Sequence, residues 1–117
     1  MTSPLALIEF PADDPERALD FWSGLLDVTL QPRTAAQGEG WQTGESGRRE
    51  AGAAPSVGVH ARGRGPGDSF SLPYFEVGDM AVALARVPSL GGSVVHPGER
   101  WAICKDSEGN PFGLTTA

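Results

Sequence analysis

The sequence predicts an α+β domain in which two βαβββ modules form one curved mixed sheet. The first observation is a strand, a sharp turn and a capped helix within residues 5–26. The second is that the same order of residue types returns about 65 residues later, with Asp79 in the place of Asp14. The third is that short apolar runs separated by turn residues follow each helix. An offset a little over half of the 117-residue chain is typical of a two-module domain.

The first predicted strand opens the chain and runs up to Pro11. Apolar Ile8 and Phe10 alternate with Leu7 and Glu9. Because successive side chains of a strand point to opposite faces, a carboxylate is expected on the face opposite the two apolar residues. Pro11 is expected to end this strand because it cannot donate a ladder hydrogen bond.

A helix is predicted to follow, beginning at Asp14 and Pro15. The Asp14 carboxylate can accept from the free amides of the first turn, and proline loses no hydrogen bond at the first helical position. Four residues at helical spacing predict an apolar stripe that faces the sheet: Ala18, Phe21, Trp22 and Leu25.

The rest of the chain divides at a glycine-rich segment. Module one is predicted over about 3–60, an exposed linker over about 61–69 and module two over about 70–117. A second helix is predicted over 80–90, ended by Gly91 and Gly92. The remaining strands are predicted at 27–30, 40–43, 53–60, 70–77, 93–96, 101–105 and 111–115, with a loop at 31–40, a turn at 44–49 and a hairpin at 106–110.

Composition excludes several classes of partner and site. The formal net charge of −6 argues against nucleic acid, and no apolar run approaches the roughly 20 residues that cross a membrane. Nothing near Met1 resembles a signal peptide, and the single Cys104 cannot form an internal disulfide. A cytoplasmic location is therefore expected. Cys104 is expected to be a buried thiol.

Three stretches resemble the vicinal oxygen chelate superfamily, which holds glyoxalase I, bleomycin-resistance proteins and extradiol dioxygenases. They are ADDPERALDFW, LPYFEVGDMAVALARV and KDSEGNPFGL, in this order. The resemblance covers nearly the whole chain. It implies paired βαβββ modules whose curved sheet encloses a cup-shaped ligand cleft, commonly within a homodimer.

The same resemblance argues against a metal. Enzymatic members usually bind a divalent ion with His or Glu from four strands, and three of these positions fall on Leu7, Leu72 and Gly113. The fourth falls somewhere in 55–60. Leucine and glycine side chains have no donor atoms, and a catalytic site needs about three protein ligands. We therefore expect no metal and no cofactor.

Two polar side chains are the leading candidates for the cleft. Period 2 places Glu9 and Tyr74 on the same face as the two leucines at the family's metal positions. Glu9 is a candidate for a general base or for holding a cationic group. Its alternative is an ion pair with an arginine such as Arg62 or Arg100. Tyr74 would orient a ligand through its hydroxyl, and a core tyrosine is the equal alternative.

Histidine and tryptophan side chains complete the candidate set. His60 and His96 each end a strand, and a structural or exposed histidine is the more common alternative. Trp41 and Trp101 lie on strands of opposite modules, where they would wall the cup, although aromatic cores are the more common case.

Three functions follow as hypotheses. The first is a metal-independent protein that binds a small, aromatic or cationic molecule, lined by Leu7, Glu9, Trp41, His60, Leu72, Tyr74, His96, Trp101 and Gly113. The second is a metal-free isomerase, lyase or hydrolase with Glu9 or His60 as base and Tyr74 as acid or oxyanion donor. The third is a degenerate domain that binds a partner protein and has a filled cup.

Overall fold

A computed structural model describes residues 4–35, 38–43, 55–65 and 67–116. Its elements follow the predicted order of two βαβββ modules. They are β1 Leu5–Ala12, α1 Pro15–Leu26, β2 Leu30–Pro32, β3 Trp41–Thr43, β4 Ser56–Ala61, β5 Leu72–Glu76, α2 Met80–Ser89, β6 Ser93–His96, β7 Trp101–Lys105 and β8 Pro111–Thr115. The predicted turn at 44–49 and the first residues of the predicted strand at 53–60 lie outside the described residues.

The eight strands form one mixed sheet in the order β2-β3-β4-β1-β5-β8-β7-β6. Within each module the first and last strands are parallel, β1 with β4 and β5 with β8. The antiparallel pair of β1 and β5 joins the two modules within the one chain. The predicted α+β class is therefore confirmed.

Both helices begin as the sequence predicts. Asp14 Oδ1 accepts from the Arg17 N–H at 3.2 Å, and Asp79 Oδ1 accepts from the Val82 N–H at 3.1 Å. These aspartates occupy equivalent positions in the two modules, so the repeat extends to the capping chemistry. No helix in the described part of the chain is long and apolar enough to cross a membrane.

The inward face of α1 differs from the predicted stripe. Trp22 stacks on Phe10 of β1, with ring centroids 4.5 Å apart and planes 16° apart. Phe21 and Leu25, however, are 58 % and 63 % exposed. The inward face is centred near Leu19 and Trp22, which turns Phe21 and Leu25 outward. The prediction that these two residues face the sheet was wrong.

Two strand boundaries also differ from the prediction. Strand β1 continues through Pro11 to Ala12, because its pairing with β5 stops at Glu9 and leaves that side of the strand open. Strand β2 begins only at Leu30. The reason is that Asp27 adopts a left-handed conformation (φ 54°) as the C-cap of α1.

The core of module two lies between α2 and the sheet. Cys104 is fully buried there, as expected, and its burial raises the pKa of the thiol. Phe75 packs edge-on against Phe112 at 6.3 Å beside it. The buried members of this cluster are Met80, Ala102, Cys104 and Leu114.

The sheet face opposite the helices carries the candidate residues, and we call it the helix-free face. Strand register assigns to it Leu7 and Glu9 of β1, Gly58 and His60 of β4, Leu72 and Tyr74 of β5, and Gly113 of β8. Phe10 and Phe75 point the other way, since both contact the helix side. Period-2 alternation therefore places the Glu9 carboxylate on the face opposite Phe10, as predicted.

The linker covers part of this face instead of being wholly exposed as predicted. Gly67 lies directly over Leu72 and Ile103, so close that a Cβ there would come within 2.7 Å of Leu72 Cδ1. Asp68 holds the turn by accepting from the Gly65 N–H at 2.7 Å. Leu72 is 1 % and Ile103 2 % exposed as a result. The module-two half of the helix-free face is thus partly filled by the chain itself.

Candidate functional site on the helix-free face

The central feature of the helix-free face is a buried ion pair between Glu9 and Arg33. Arg33 Nη1 donates to Glu9 Oε1 at 2.8 Å, and Nη2 donates to Oε2 at 2.5 Å. The Glu9 and Arg33 side chains are 7 % and 8 % exposed. The alternative that Glu9 pairs with an arginine is therefore correct. The partner is neither Arg62, which pairs with Asp13, nor Arg100.

The β2–β3 hairpin positions Arg33. The Arg33 N–H donates to the Gly40 carbonyl at 2.8 Å, which continues the hairpin beyond β2. Its side chain then donates from Nε to Gln42 Oε1 at 2.9 Å and from Nη1 to the Glu39 carbonyl at 3.1 Å. Four hydrogen bonds to three residues hold the guanidinium plane in one orientation over the sheet.

Gly58 provides the space in which the ion pair sits. A Cβ at this position would collide with Arg33 Nη2 and would stand 2.5 Å from Glu9 Oε2. Gly58 pairs in register with Glu9 on the neighbouring strand. The close approach of both charged side chains to β4 therefore requires a glycine at this position.

His60 lies beside the ion pair on the same face. Its Nδ1–H donates to the Ala61 carbonyl at 2.8 Å, and its Nε2 is 4.0 Å from Glu9 Oε1. The His60 side chain is 15 % exposed. The backbone carbonyl thus fixes the ring so that Nε2 is directed at the carboxylate.

Tyr74 completes the group on the side of module two. Its ring lies flat against Gly113, where a Cβ would collide with the ring carbons. The pKa of Tyr74 is raised to about 12, first by burial and then by the negative charge of Glu9, while Arg33 lowers it and Asp68 raises it slightly. The phenol therefore keeps its hydrogen throughout the neutral range and can donate it to a ligand.

The ionisation of Tyr74 can be measured directly because it is the single tyrosine of the chain. We expect the ultraviolet absorbance change of tyrosinate to have its midpoint near pH 12 in the folded protein. In urea the same change should return to about pH 10, the ordinary value for tyrosine. A midpoint of about 10 in the folded protein would contradict the burial of the hydroxyl.

The same shift makes stability depend on alkaline pH. The pKa of Tyr74 is higher in the folded than in the unfolded protein. The stability that the protonated phenol contributes is therefore complete below about pH 10 and is lost as pH rises through about 12. A pKa difference of this size corresponds to at most roughly 3 kcal/mol of the free energy of unfolding. In the variant Tyr74→Phe this part of the pH dependence should be missing, which separates it from other alkaline effects.

The remaining aromatic and histidine candidates lie elsewhere. His96 stacks on Trp101 with ring centroids 5.0 Å apart, so it belongs to a group separate from His60. Trp41 pairs in register with Val59, which shares its face with Phe10 and not with Glu9. Trp41 therefore lies on the face opposite Glu9, and its role in walling a ligand site stays a prediction.

Trp41 instead lines a cavity at the tip of the β2–β3 hairpin. The cavity has a volume of about 460 Å³ and shares Arg33 with the ion pair and Ala61 with the His60 hydrogen bond. It thus adjoins the buried polar residues. Its lining residues are Arg33, Thr34, Ala35, Gly38, Glu39, Gly40, Trp41 and Ala61.

The side chains at the superfamily's metal positions do not fit a metal ion. Leu7 and Gly113 flank Tyr74 in the register, Leu72 is buried under the linker, and none of the three has a donor atom. Within the described ranges, no group of three or more His, Cys, Asp or Glu comes together. Both oxygens of Glu9 already accept from a guanidinium.

Paired βαβββ modules in one mixed sheet, with both helices on one face, define this protein as a member of the vicinal oxygen chelate superfamily. The match to a family model extends over residues 7–115. The chain belongs to the glyoxalase-like domain family. The predicted superfamily is thus confirmed.

Solved structures agree on the fold. Methylmalonyl-CoA epimerase from Streptomyces coelicolor is 14 % identical, with a TM-score of 0.70 over 100 % of this chain and 99 % of that one. A hypothetical protein from Bacillus halodurans is 13 % identical, with a TM-score of 0.68 over 100 % of this chain and 96 % of that one. A protein described as an NAD-dependent benzaldehyde dehydrogenase from Legionella pneumophila is 12 % identical, with a TM-score of 0.67 over 94 % of this chain and 96 % of that one.

At these identities the likeness concerns the fold and not the activity. No curated protein is a significant match to the chain. The homodimer and the cytoplasmic location stay predictions.

Proposed function

We propose that the protein binds a small molecule, without a metal, at the polar cluster of Glu9, Arg33, His60 and Tyr74. The observation that carries this proposal is the guanidinium of Arg33 clamped on Glu9, at 2.8 and 2.5 Å. It places a fixed, mutually neutralised pair of charges on the face where relatives of this superfamily would hold a metal ion. An ion pair held by further hydrogen bonds is preorganised for recognition, since little side-chain freedom is left to lose on binding.

The polar cluster retains hydrogen-bonding capacity for a ligand. The Tyr74 hydroxyl is protonated at neutral pH, and it makes no hydrogen bond within the described part of the chain. His60 Nε2 and the second lone pairs of the Glu9 carboxylate add acceptors. A few convergent polar groups in a mostly apolar surface are what fixes the orientation of a bound small molecule.

The adjoining cavity supports a ligand with an apolar or aromatic body. Its volume of about 460 Å³ lies within the roughly 300–1,000 Å³ range of small-molecule sites. Trp41 offers one wall of this cavity, and Arg33 links it to the polar cluster. A ligand that fills the cavity would reach the polar cluster through the Arg33 side chain, which belongs to both.

A screen of the full chain tests this function. Protein purified in the presence of a chelator is mixed with aromatic amines, acids and neutral compounds, and its thermal unfolding is followed. A genuine ligand at about a hundredfold excess over its Kd should raise the free energy of unfolding by about 2.7 kcal/mol. Amide NMR shifts should then map to β4, the β2–β3 hairpin and Tyr74. The affinity should be unchanged when a divalent metal is added.

Two results would overturn the proposal. One is binding that disappears with chelator and returns with metal, which would show that the site depends on a metal. The other is ligand-induced shifts confined to residues away from the polar cluster. Elemental analysis of protein purified without chelator provides the independent check on metal content.

An enzyme remains the second candidate, with His60 in place of Glu9 as its base. The Nδ1–H donated to the Ala61 carbonyl leaves Nε2 of the neutral ring free to accept a proton from a substrate. Glu9 is poorly suited to this role because both of its oxygens are engaged by Arg33. Turnover of any bound ligand that His60→Leu abolishes without loss of affinity would favour this candidate.

A further inference from the structure

Glu9 and His60 turn two hydrogen-bond acceptors toward each other. A carbonyl can only accept, so the 2.8 Å contact with the Ala61 carbonyl places the ring hydrogen of neutral His60 on Nδ1. Nε2 then carries a lone pair and stands 4.0 Å from Glu9 Oε1. Oε1 accepts one hydrogen from Arg33 and has a second lone pair for another donor.

The separation of the two acceptors selects the kind of donor. A nitrogen about 2.9 Å from each of two atoms that lie 4.0 Å apart sees them at an angle of about 90°. Two hydrogens on one nitrogen fit this angle with modest bending of each hydrogen bond. A hydroxyl or a tertiary ammonium carries one hydrogen and satisfies only one of the two acceptors.

The surrounding charges favour a cation over a neutral donor. Within the polar cluster Arg33 offsets Glu9, and Asp68 adds a second negative charge close enough to act on Tyr74. Burial is the main cause of the raised pKa of Tyr74; Glu9 and Asp68 also raise it, and Arg33 lowers it. The chain as a whole carries a net charge of −6.

We propose that the ligand of the polar cluster is a protonated primary amine, whose nitrogen donates one hydrogen to Glu9 Oε1 and another to His60 Nε2. The inference rests on the proposed function and narrows its ligand class. Metal independence would hold whichever ligand binds, whereas the amine requirement depends on these two acceptors.

Three probe compounds distinguish the effect of the number of donated hydrogens on affinity from the effect of the ligand's charge. Benzylamine is a cation with three N–H groups, protonated N,N-dimethylbenzylamine is a cation with one, and benzyl alcohol is neutral. Affinities are measured by NMR titration of the full chain at about pH 8, where imidazoles are ordinarily neutral. We expect benzylamine to bind about tenfold more tightly than either of the others, the value of one hydrogen bond to a charged group.

Two histidine variants form a matched pair. In His60→Leu the preference for benzylamine over N,N-dimethylbenzylamine should fall to less than about threefold, because the second acceptor is gone. In His96→Leu it should stay at about tenfold, since His96 stacks on Trp101 outside the polar cluster. Circular dichroism and thermal unfolding establish that both variants are folded.

The outcomes distinguish this inference from the proposed function. Equal affinity for the three probes, or no binding of benzylamine up to its solubility limit, overturns the inference. A preference that persists in His60→Leu also overturns it. Binding of an acid or a neutral compound at the polar cluster in the wider screen would sustain the proposed function and reject the amine. If no compound in the screen shifts the polar cluster, both fail.

Discussion

Replacing Arg33 with methionine is expected to lower the free energy of unfolding by about 3–5 kcal/mol, because the Glu9 carboxylate is left buried without its partner. The Glu9 side chain is 7 % exposed, and both of its oxygens accept from this one guanidinium. Water cannot readily replace the two hydrogen bonds at such a depth. Urea denaturation monitored by tryptophan fluorescence measures the change.

A double variant separates the ion pair from the packing of its carbon atoms. Glu9→Leu with Arg33→Met removes both charges together, and we expect it to recover most of the stability lost in Arg33→Met. Arg33→Lys should fall between the wild type and Arg33→Met, since it keeps the charge but loses the two-pronged geometry.

The control for this series is the exposed ion pair of Arg62 with Asp13. Its atoms are 2.9 Å apart, but the two side chains are 42 % and 73 % exposed. Solvent screens such a pair, so Arg62→Met should cost less than about 1 kcal/mol. If Arg33→Met cost no more than Arg62→Met, the buried ion pair would not hold the site together, and the proposed function would lose its basis.

Local chemistry explains why much of the fold could be predicted from the sequence. The helix caps depend on side chains three residues away, as Asp14 and Asp79 show. The ends of the second helix and the last hairpin depend on glycines with positive φ, 96° at Gly91 and 87° at Gly109. Such features involve neighbours along the chain, which a sequence displays directly.

Sequence patterns did not identify Arg33 as a residue of the site. Arg33 lies in a stretch predicted to be a loop, flanked by strands of three residues that are too short to show a period. Its carboxylate partner is 24 positions away in the sequence. The pairing is fixed by the register of β3 on β4 and of β4 on β1, and hydrophobic patterns do not fix that register here.

The linker shows a second limit of sequence patterns. Residues 61–69 are rich in glycine and polar residues, a composition typical of exposed loops. Yet the absence of a side chain at Gly67 is what lets the backbone lie on Leu72 and Ile103. Composition indicates that a segment has no regular structure, but it does not indicate what the segment covers.

Leu72→Ala is the second variant for which we expect a large effect, a loss of about 2–5 kcal/mol. Leu72 is among the most deeply buried side chains, at 1 % exposed, and its Cδ1 lies against Gly67 of the linker. Truncation leaves a cavity beneath the linker. Leu25→Ala removes the same atoms from a residue that is 63 % exposed and should change stability by less than about 0.5 kcal/mol.

Proteolysis separates loss of the linker contact from a general loss of stability. Trypsin can cut after Arg62 and Arg64, which both lie in the linker just before Gly67, the residue that contacts Leu72. In Leu72→Ala these bonds should be cut well before the rest of the domain, at a temperature where the variant is still folded. In Leu25→Ala they should be cut as slowly as in the wild type. Uniform digestion of Leu72→Ala would mean that the leucine stabilises the whole sheet and does not anchor the linker. Selective cutting would instead assign Leu72 to anchoring the linker over the module-two half of the helix-free face.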